Sequence, residues 1–514
     1  MSSLNLIRGD KYWIKFNELT LKFLIMKICL ITFLLLIISQ LLVAQTSFFK
    51  TYRRPSHERA FSSVQTDDGS FIIAGEISES GYYGMKEGYL AIISGTGDLV
   101  NESLINPNDN SRFCIILPYH YGNAEYICIG STDSISDTVT YSRIVFYGID
   151  TEMSIAWQKL FSFQMNYTIV PWQQYISHDS VLYLMNTNIN TNANPSSIDY
   201  VSVIKYSLPF DSLCNYKVDF SSHTQDAIFK EVKEELDIYL FPPTIVKLDK
   251  DLNYISTTDY NNRFLSTIDL TSINDTNFLF TGSAQNSNHT NALIGCIHYN
   301  DDDVAIDSLY YTPNNDTNFY AGGRQNTAIN GNNIFITGFY NVYAMPFPYN
   351  ANPSWVSVTK ADMALNVISN HFYGGDAQYC PYSIIPTIDG GCFVTGYSYD
   401  YINNLAVGNY ELDIFALKVD SLGLITQLPD QPKNKAHDAI VFPSPGRDYL
   451  TIQSGPQISG AQFTLYNIQG NVEREEKIDN KQMRTNTVNL VPGVYPWKIV
   501  FNNKVIESGK WVKE

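Results

Sequence analysis

Arginines are the residues of this chain best placed to do chemistry. Arg59, Arg112, Arg263 and Arg324 each stand just before the predicted innermost strand of a recurring sequence unit. A guanidinium is permanently charged and presents a planar fork of donors. Four at one level suit either an anion or the carboxylates and carbonyls of neighbouring units. Acidic clusters stand at Asp249-Lys250-Asp251-Leu252-Asn253 and Asn300-Asp301-Asp302-Asp303. The first alternates oxygen donors as a calcium loop does, but Tyr254 occupies the sixth position, where such a loop needs glycine. A solvated turn and a cation site are both open readings there. The eight histidines have no partners at ligand spacing, and the seven cysteines include no CxxC pair, so no metal is expected. Cys114, Cys128, Cys214, Cys296, Cys380 and Cys392 permit close pairs at 114/128 and 380/392, or stand as buried thiols. No nucleophile elbow, HExxH, P-loop or dinucleotide fingerprint accompanies them, and no cofactor is expected.

The elements that must position these residues read as all-β. Aromatic residues make up 14% of the chain, helical periodicity is nearly absent, and Asn, Gly, Ser, Thr and Asp punctuate short apolar runs. One strand, often ending in glycine, recurs from Phe71, Tyr126, Leu182, Phe278, Ile334 and Cys392, and Asp237-Ile238-Tyr239-Leu240-Phe241 fills the one wide gap. A second type follows each copy, as in Tyr89-Leu90-Ala91-Ile92-Ile93 and Ile414-Phe415-Ala416-Leu417-Lys418. Copies with a period in the fifties predict a seven-bladed β-propeller over residues 45–428. The segment Ser47-Phe48-Phe49-Lys50-Thr51-Tyr52 resembles the fourth strand of a blade and is expected to complete the last one, removing a sheet edge.

Loops at 78–89, 187–200, 340–355 and 399–410 are rich in Tyr, Asn, Ser and Pro, and would open on the face that carries the arginines. Such a face suits a glycan or protein ligand. The net charge of -17 argues against nucleic acid as a partner. Two functions stay open: a non-catalytic binding module, and a polysaccharide-active enzyme whose site is assembled from several blades.

The two ends of the chain point to export. Between Ile28 and Val43 lies an apolar run of about sixteen residues, preceded by Lys27 and ending at Leu42-Val43-Ala44, short of the ~20 a spanning helix needs. Residues 1–44 are thus predicted to hold an N-terminal extension and a cleaved signal peptide, with no membrane span left afterwards. After a Pro-containing linker at 429–438, residues 439–514 open with Phe442-Pro443-Ser444-Pro445. They continue through the strand Phe463-Thr464-Leu465-Tyr466-Asn467-Ile468-Gln469-Gly470 and then Asn489-Leu490-Val491-Pro492-Gly493-Val494-Tyr495, and close on Gly509-Lys510-Trp511-Val512-Lys513. In that order these segments resemble the C-terminal sorting domain of type IX secretion cargo in Bacteroidetes-type bacteria, with Ser444 replacing the family's usual Asn. The resemblance implies a small β-sandwich, the type IX machinery as partner, a secreted or cell-surface destination reached through the periplasm, and a sorting motif on Pro443, Pro445, Gly470, Gly493, Tyr495 and Lys510. Gly470 and Gly493 are expected at turns, and Pro496 at an edge or bulge.

Overall fold

A computed structural model describes Met26 and residues 46–425 and 439–513, apart from loop segments at 80–84, 106–109, 137–138, 165–166, 177–180, 191–196, 208–212, 220–226, 233–234, 241–243, 260–263, 286–291, 314–316, 343–352, 401–410, 443–445, 455–459, 468–469, 481 and 502–503. The chain divides into two compact units, Met1–Pro429 and Asp430–Glu514. The expected signal segment (Met26 aside), the linker, Pro443, Pro445, Cys29 and most of the four long loops lie outside the described residues. Among the described residues no helix is long and apolar enough to cross a membrane.

The described strands of the first unit form seven antiparallel sheets. Five are four-strand meanders whose inner strands are His57–Gln65, Asn110–Tyr121, Tyr167–Ile176, Ala227–Val232 and Phe264–Asn274. In the sixth the inner strand is broken into Phe319–Ala321 and Thr327–Asn330, both paired with Asn333–Tyr340. The seventh combines Gln378–Pro386, Cys392–Tyr399 and Asp413–Val419 with Phe48–Tyr52 from the start of the unit, in the register Phe48↔Lys418 to Tyr52↔Ile414. The expected closing strand therefore sits where the sequence places it.

No single core holds this unit together. Apolar faces of consecutive sheets pack on each other instead: Ile72 and Leu90 with Ile116 and Tyr147, Phe146 with Leu184 and Tyr206, and so on round to Phe48, Phe393 and Ile414 of the seventh sheet, which meet Phe71 and Tyr89 of the first. Each sheet thus has two buried faces, which explains why its middle strands are apolar along their whole length rather than alternating. A closed ring of radially packed sheets is the β-propeller architecture.

Two local devices recur. The first is the turn after the third strand, where Ser94, Asp150, Asp249, Asn300, Asp362 and Asp420 each accept hydrogen bonds from the backbone N–H groups two and four residues on. The residue at the fourth position takes positive φ, and three such residues, Met153, Leu252 and Leu365, bury their side chains against the preceding sheet. Such a conformation is unusual for leucine and methionine, and the burial gained offsets its strain. Asp249 is therefore the head of a structural turn. In the matching turn of the next sheet, Asp303 pairs with Lys230 at 2.9 Å and accepts from the Tyr239 hydroxyl at 2.6 Å. The cysteines resolve in the same spirit: Cys114, Cys128, Cys296, Cys380 and Cys392 are buried free thiols. Cys380 and Cys392 lie at opposite ends of their strand pair, opposite Tyr397 and Pro386 respectively, too far along the ladder for a bridge.

The second unit is a two-layer β-sandwich. Ala439–Phe442, Tyr449–Ser454 and Gln482–Asn486 form one sheet; Val472–Ile478, Ala461–Tyr466, Gly493–Phe501 and Lys504–Lys513 form the other. Leu450, Ile452, Phe463, Leu465, Ile499 and the fully buried Trp511 meet between them.

Candidate ligand site at the channel mouth

The second recurring device builds the site. Inner strands carry a β-bulge opposite the end of the next strand, with register shifts between Ala60 and Ser62, Phe113 and Ile115, and Pro381 and Ser383. The carbonyl before each bulge presses on the partner strand, so that a Cβ at Gly75, Gly130 or Gly396 would lie 1.9–2.2 Å from the oxygens of Arg59, Arg112 and Cys380. That contact is the physical reason for the recurrent strand-ending glycine. A bulge also re-aims side chains. The extra residues here are Phe61, Cys114 and Tyr382, on three sheets, and Phe61 and Tyr382 meet edge to face at 5.4 Å.

Arginines gather around these bulges. Arg59, cross-strand from Glu76, donates to Glu76 Oε1 through Nε at 2.8 Å and pairs with it again through Nη2. Arg112 of the second sheet brings Nε to 4.0 Å from Glu76 Oε2, and Lys86 brings Nζ to 3.7 Å from Oε1. Arg324, in the break of the sixth inner strand, lays its guanidinium over the Phe61 ring at 5.1 Å, and Arg59 lies over the same ring at 5.2 Å. The Nη1 of Arg324 then donates at 3.4 Å to the carbonyl of Cys114 on the second sheet. In the ring the sixth and second sheets are separated by the seventh and first, so this side chain reaches across the axis.

The electrostatics follow. Burial alone would push the Glu76 carboxyl up, but Arg59, Arg112 and Lys86 together hold it down, at about 2, so it stays ionised. Burial, with Arg59 and Arg112 nearby, lowers the Lys86 ammonium despite the opposing pull of Glu76. Three cationic side chains thus surround one buried carboxylate, and Arg324 stands nearby over the Phe61 ring.

Of the four arginines singled out by sequence, the structure brings Arg59, Arg112 and Arg324 together, and Arg263 lies outside the described residues. Arg112 reaches from its own sheet to a carboxylate of the neighbouring one, as an inter-blade tie would. Sequence reasoning missed Glu76, Lys86 and Phe61. A signal for Glu76 was present: where Gly130, Gly282, Gly338 and Gly396 are followed by Ser131, Ser283, Phe339 and Tyr397, Gly75 alone is followed by an acid.

In the second unit Gly470 does take positive φ, 82°, in a turn headed by Asn467, which accepts from the Asn471 N–H at 3.0 Å. Gly493 does not. It begins a strand with φ outside the left-handed region, and an added Cβ would meet only ordinary contacts at 3.9–4.0 Å, so its expected turn role is corrected. Tyr495 is buried beside Trp511 and donates its hydroxyl to the Val491 carbonyl at 2.7 Å, while Lys510 is exposed opposite Pro496. Pro496 lies just past the point where pairing with Ala461–Tyr466 stops, so its missing N–H leaves no ladder partner unsatisfied on that side.

Residues 440–514 match the family described as the secretion system C-terminal sorting domain. The C-terminal unit is therefore a type IX sorting domain, and it directs the protein to the cell surface or to secretion. Among curated proteins no relative of the chain was found. Among solved structures the chain is similar to BamB from Moraxella catarrhalis, at 9% identity and a TM-score of 0.30 over 68% of this chain and 86% of that one. It is also similar to Raptor from Chaetomium thermophilum, at 8% identity and a TM-score of 0.41, over 74% of this chain and 30% of that one.

Proposed function

We propose that the propeller is a non-catalytic binding module that, once exported, takes an acidic ligand, a glycan or a protein segment, at the channel mouth. The observation that carries this reading is the gathering of Arg59, Arg112, Arg324 and Lys86 about the carboxylate of Glu76 among the described residues, in a protein whose net charge is -17. Partly desolvated like charges repel one another, and a bound anion relieves the repulsion. Calorimetric titration of the exported chain with polygalacturonate at rising salt tests it. Affinity is expected to fall as salt screens the site, with a Debye length of about 8 Å at physiological ionic strength, and Arg112→Gln is expected to weaken binding while the chain still folds, with a modest drop in melting temperature from the loss of its charge beside Glu76. Binding that ignores both salt and this substitution would remove the channel mouth from consideration.

A further inference from the structure

The mouth has a floor, and one of its arginines is left with an open hand. Arg324 crosses from the sixth sheet to the second, and the rings of Phe61 and Tyr382 from the first and seventh sheets lie in the same layer. Among the described residues this layer joins the sixth, seventh, first and second sheets at that end. Above it, Arg59 spends its guanidinium on Glu76. Arg112 differs. Its only polar side-chain contact is Nε to Glu76 Oε2 at 4.0 Å, beyond hydrogen-bond length, so the Nη1 and Nη2 fork has no acceptor among the described residues. The side chain is one-fifth exposed, and it is held near Lys86 because Ser111, its neighbour, donates its backbone N–H to the Lys86 carbonyl at 2.7 Å and its hydroxyl oxygen accepts from the Gly88 N–H at 3.0 Å. Glu76 Oε2, buried and without a hydrogen-bond partner, fixes the orientation of Arg112 from behind by charge.

Resting on the anion-binding reading above, we infer that the site is a closed cup that takes one oxyanion group at a time, end-on, with the Arg112 fork as its bidentate grip. The group is a carboxylate or phosphate head; a threaded polymer is excluded by the Arg324 bar. Glu76 acts as a positioning residue.

Titration of the exported chain with galacturonate, its trimer, polygalacturonate of defined length and inorganic phosphate tests this. The expected result is a dissociation constant that changes by less than about threefold from monomer to polymer when expressed per chain end or per accessible head group. Arg112→Lys, which keeps the charge and removes the fork, is expected to weaken binding of the monomer about tenfold. A variant Glu76→Gln is expected to weaken it as well, with rescue by Glu76→Asp if positioning by charge is the cause. Affinity that rises steeply with oligomer length, with no measurable binding of the monomer, would overturn the single-group cup while leaving an anion-binding face intact. Failure of all four probes to bind would overturn the anion reading itself. Phosphate binding equal to galacturonate, with both lost in Arg112→Lys, supports a grip for oxyanions in general; galacturonate alone supports a carboxylate cup.

Discussion

Burial pushes the Asp413 carboxyl up to about 7; the backbone N–H of Arg54 and the charge of Arg53 pull it down, and Glu58 and Glu411 add to the rise. The folded state therefore holds this proton more tightly than the unfolded chain does. Its stabilising contribution is fully present below about pH 4, the ordinary aspartate value, and is lost as pH rises through about 7. Asp413→Asn should then raise the melting temperature at pH 8, by the equivalent of roughly 1–3 kcal/mol, and leave it nearly unchanged at pH 4. Equal shifts at both pH values would show that the group is not linked to folding in this way. Glu76 has the opposite sign: its folded value is held near 2, so its contribution stands above the ordinary glutamate value and disappears only as pH falls toward 2.

At the scale of elements, the closing strand is the one whose removal has the clearest outcome. Deleting residues 46–52 behind an intact signal takes out the pairing from Phe48 to Tyr52, the burial of Phe48 against Phe393 and the contacts of Phe49 with Tyr379 and Phe415. Burying one phenylalanine contributes about 1.5–3 kcal/mol, so the variant should melt well below the parent, and an unchanged melting temperature would contradict the pairing. This element was legible because Phe48-Phe49 stands at strand spacing before the first copy of the repeat, and the seventh copy lacks a fourth strand of its own. The recurrent glycine was legible too, but its cause was not, since the carbonyl it admits belongs to a bulge on another strand. The site was half legible for the same reason. Arginines at equal repeat positions must fall at one level of a ring, which Arg59 and Arg112 do, opposite the residues after Gly75 and Gly130; Arg324 comes from the break in its strand. The meeting of Arg59 and Arg112 with Glu76 depends on the register of His57–Gln65 against Phe71–Ser78, and the crossing of Arg324 joins residues 210 apart in sequence, which no local pattern encodes.

For the whole molecule, the two units divide address from cargo. Lys504–Lys513 is an edge strand of the sorting unit that pairs along Gly493–Phe501, bridges Gly446 at Lys513 and supplies Trp511 to the core. Removing residues 505–514 should therefore unfold the sorting unit, leave the melting transition of the propeller in place and retain the protein in the periplasm, as fractionation would reveal. Normal appearance outside the cell would disprove the division. The pairing of Phe48 with Lys418 carries a further consequence, for time instead of strength. If the N-terminal segment leads export as the sequence suggests, the strand that completes the ring is the first of the unit to cross the membrane and its partner the last. For nearly the whole of its translocation Phe48–Tyr52 is a waiting strand, and Asp413–Val419 arrives with an open edge that only this segment fits. Joining ends so far apart adds little to the free energy, because loop-closure entropy grows only with the logarithm of length, but it makes the join the slow and final step. Until it happens the chain is a row of sheets with two unpaired ends. An unclosed ring is the form most open to proteases and to pairing with its own copies, since its two strand edges are free.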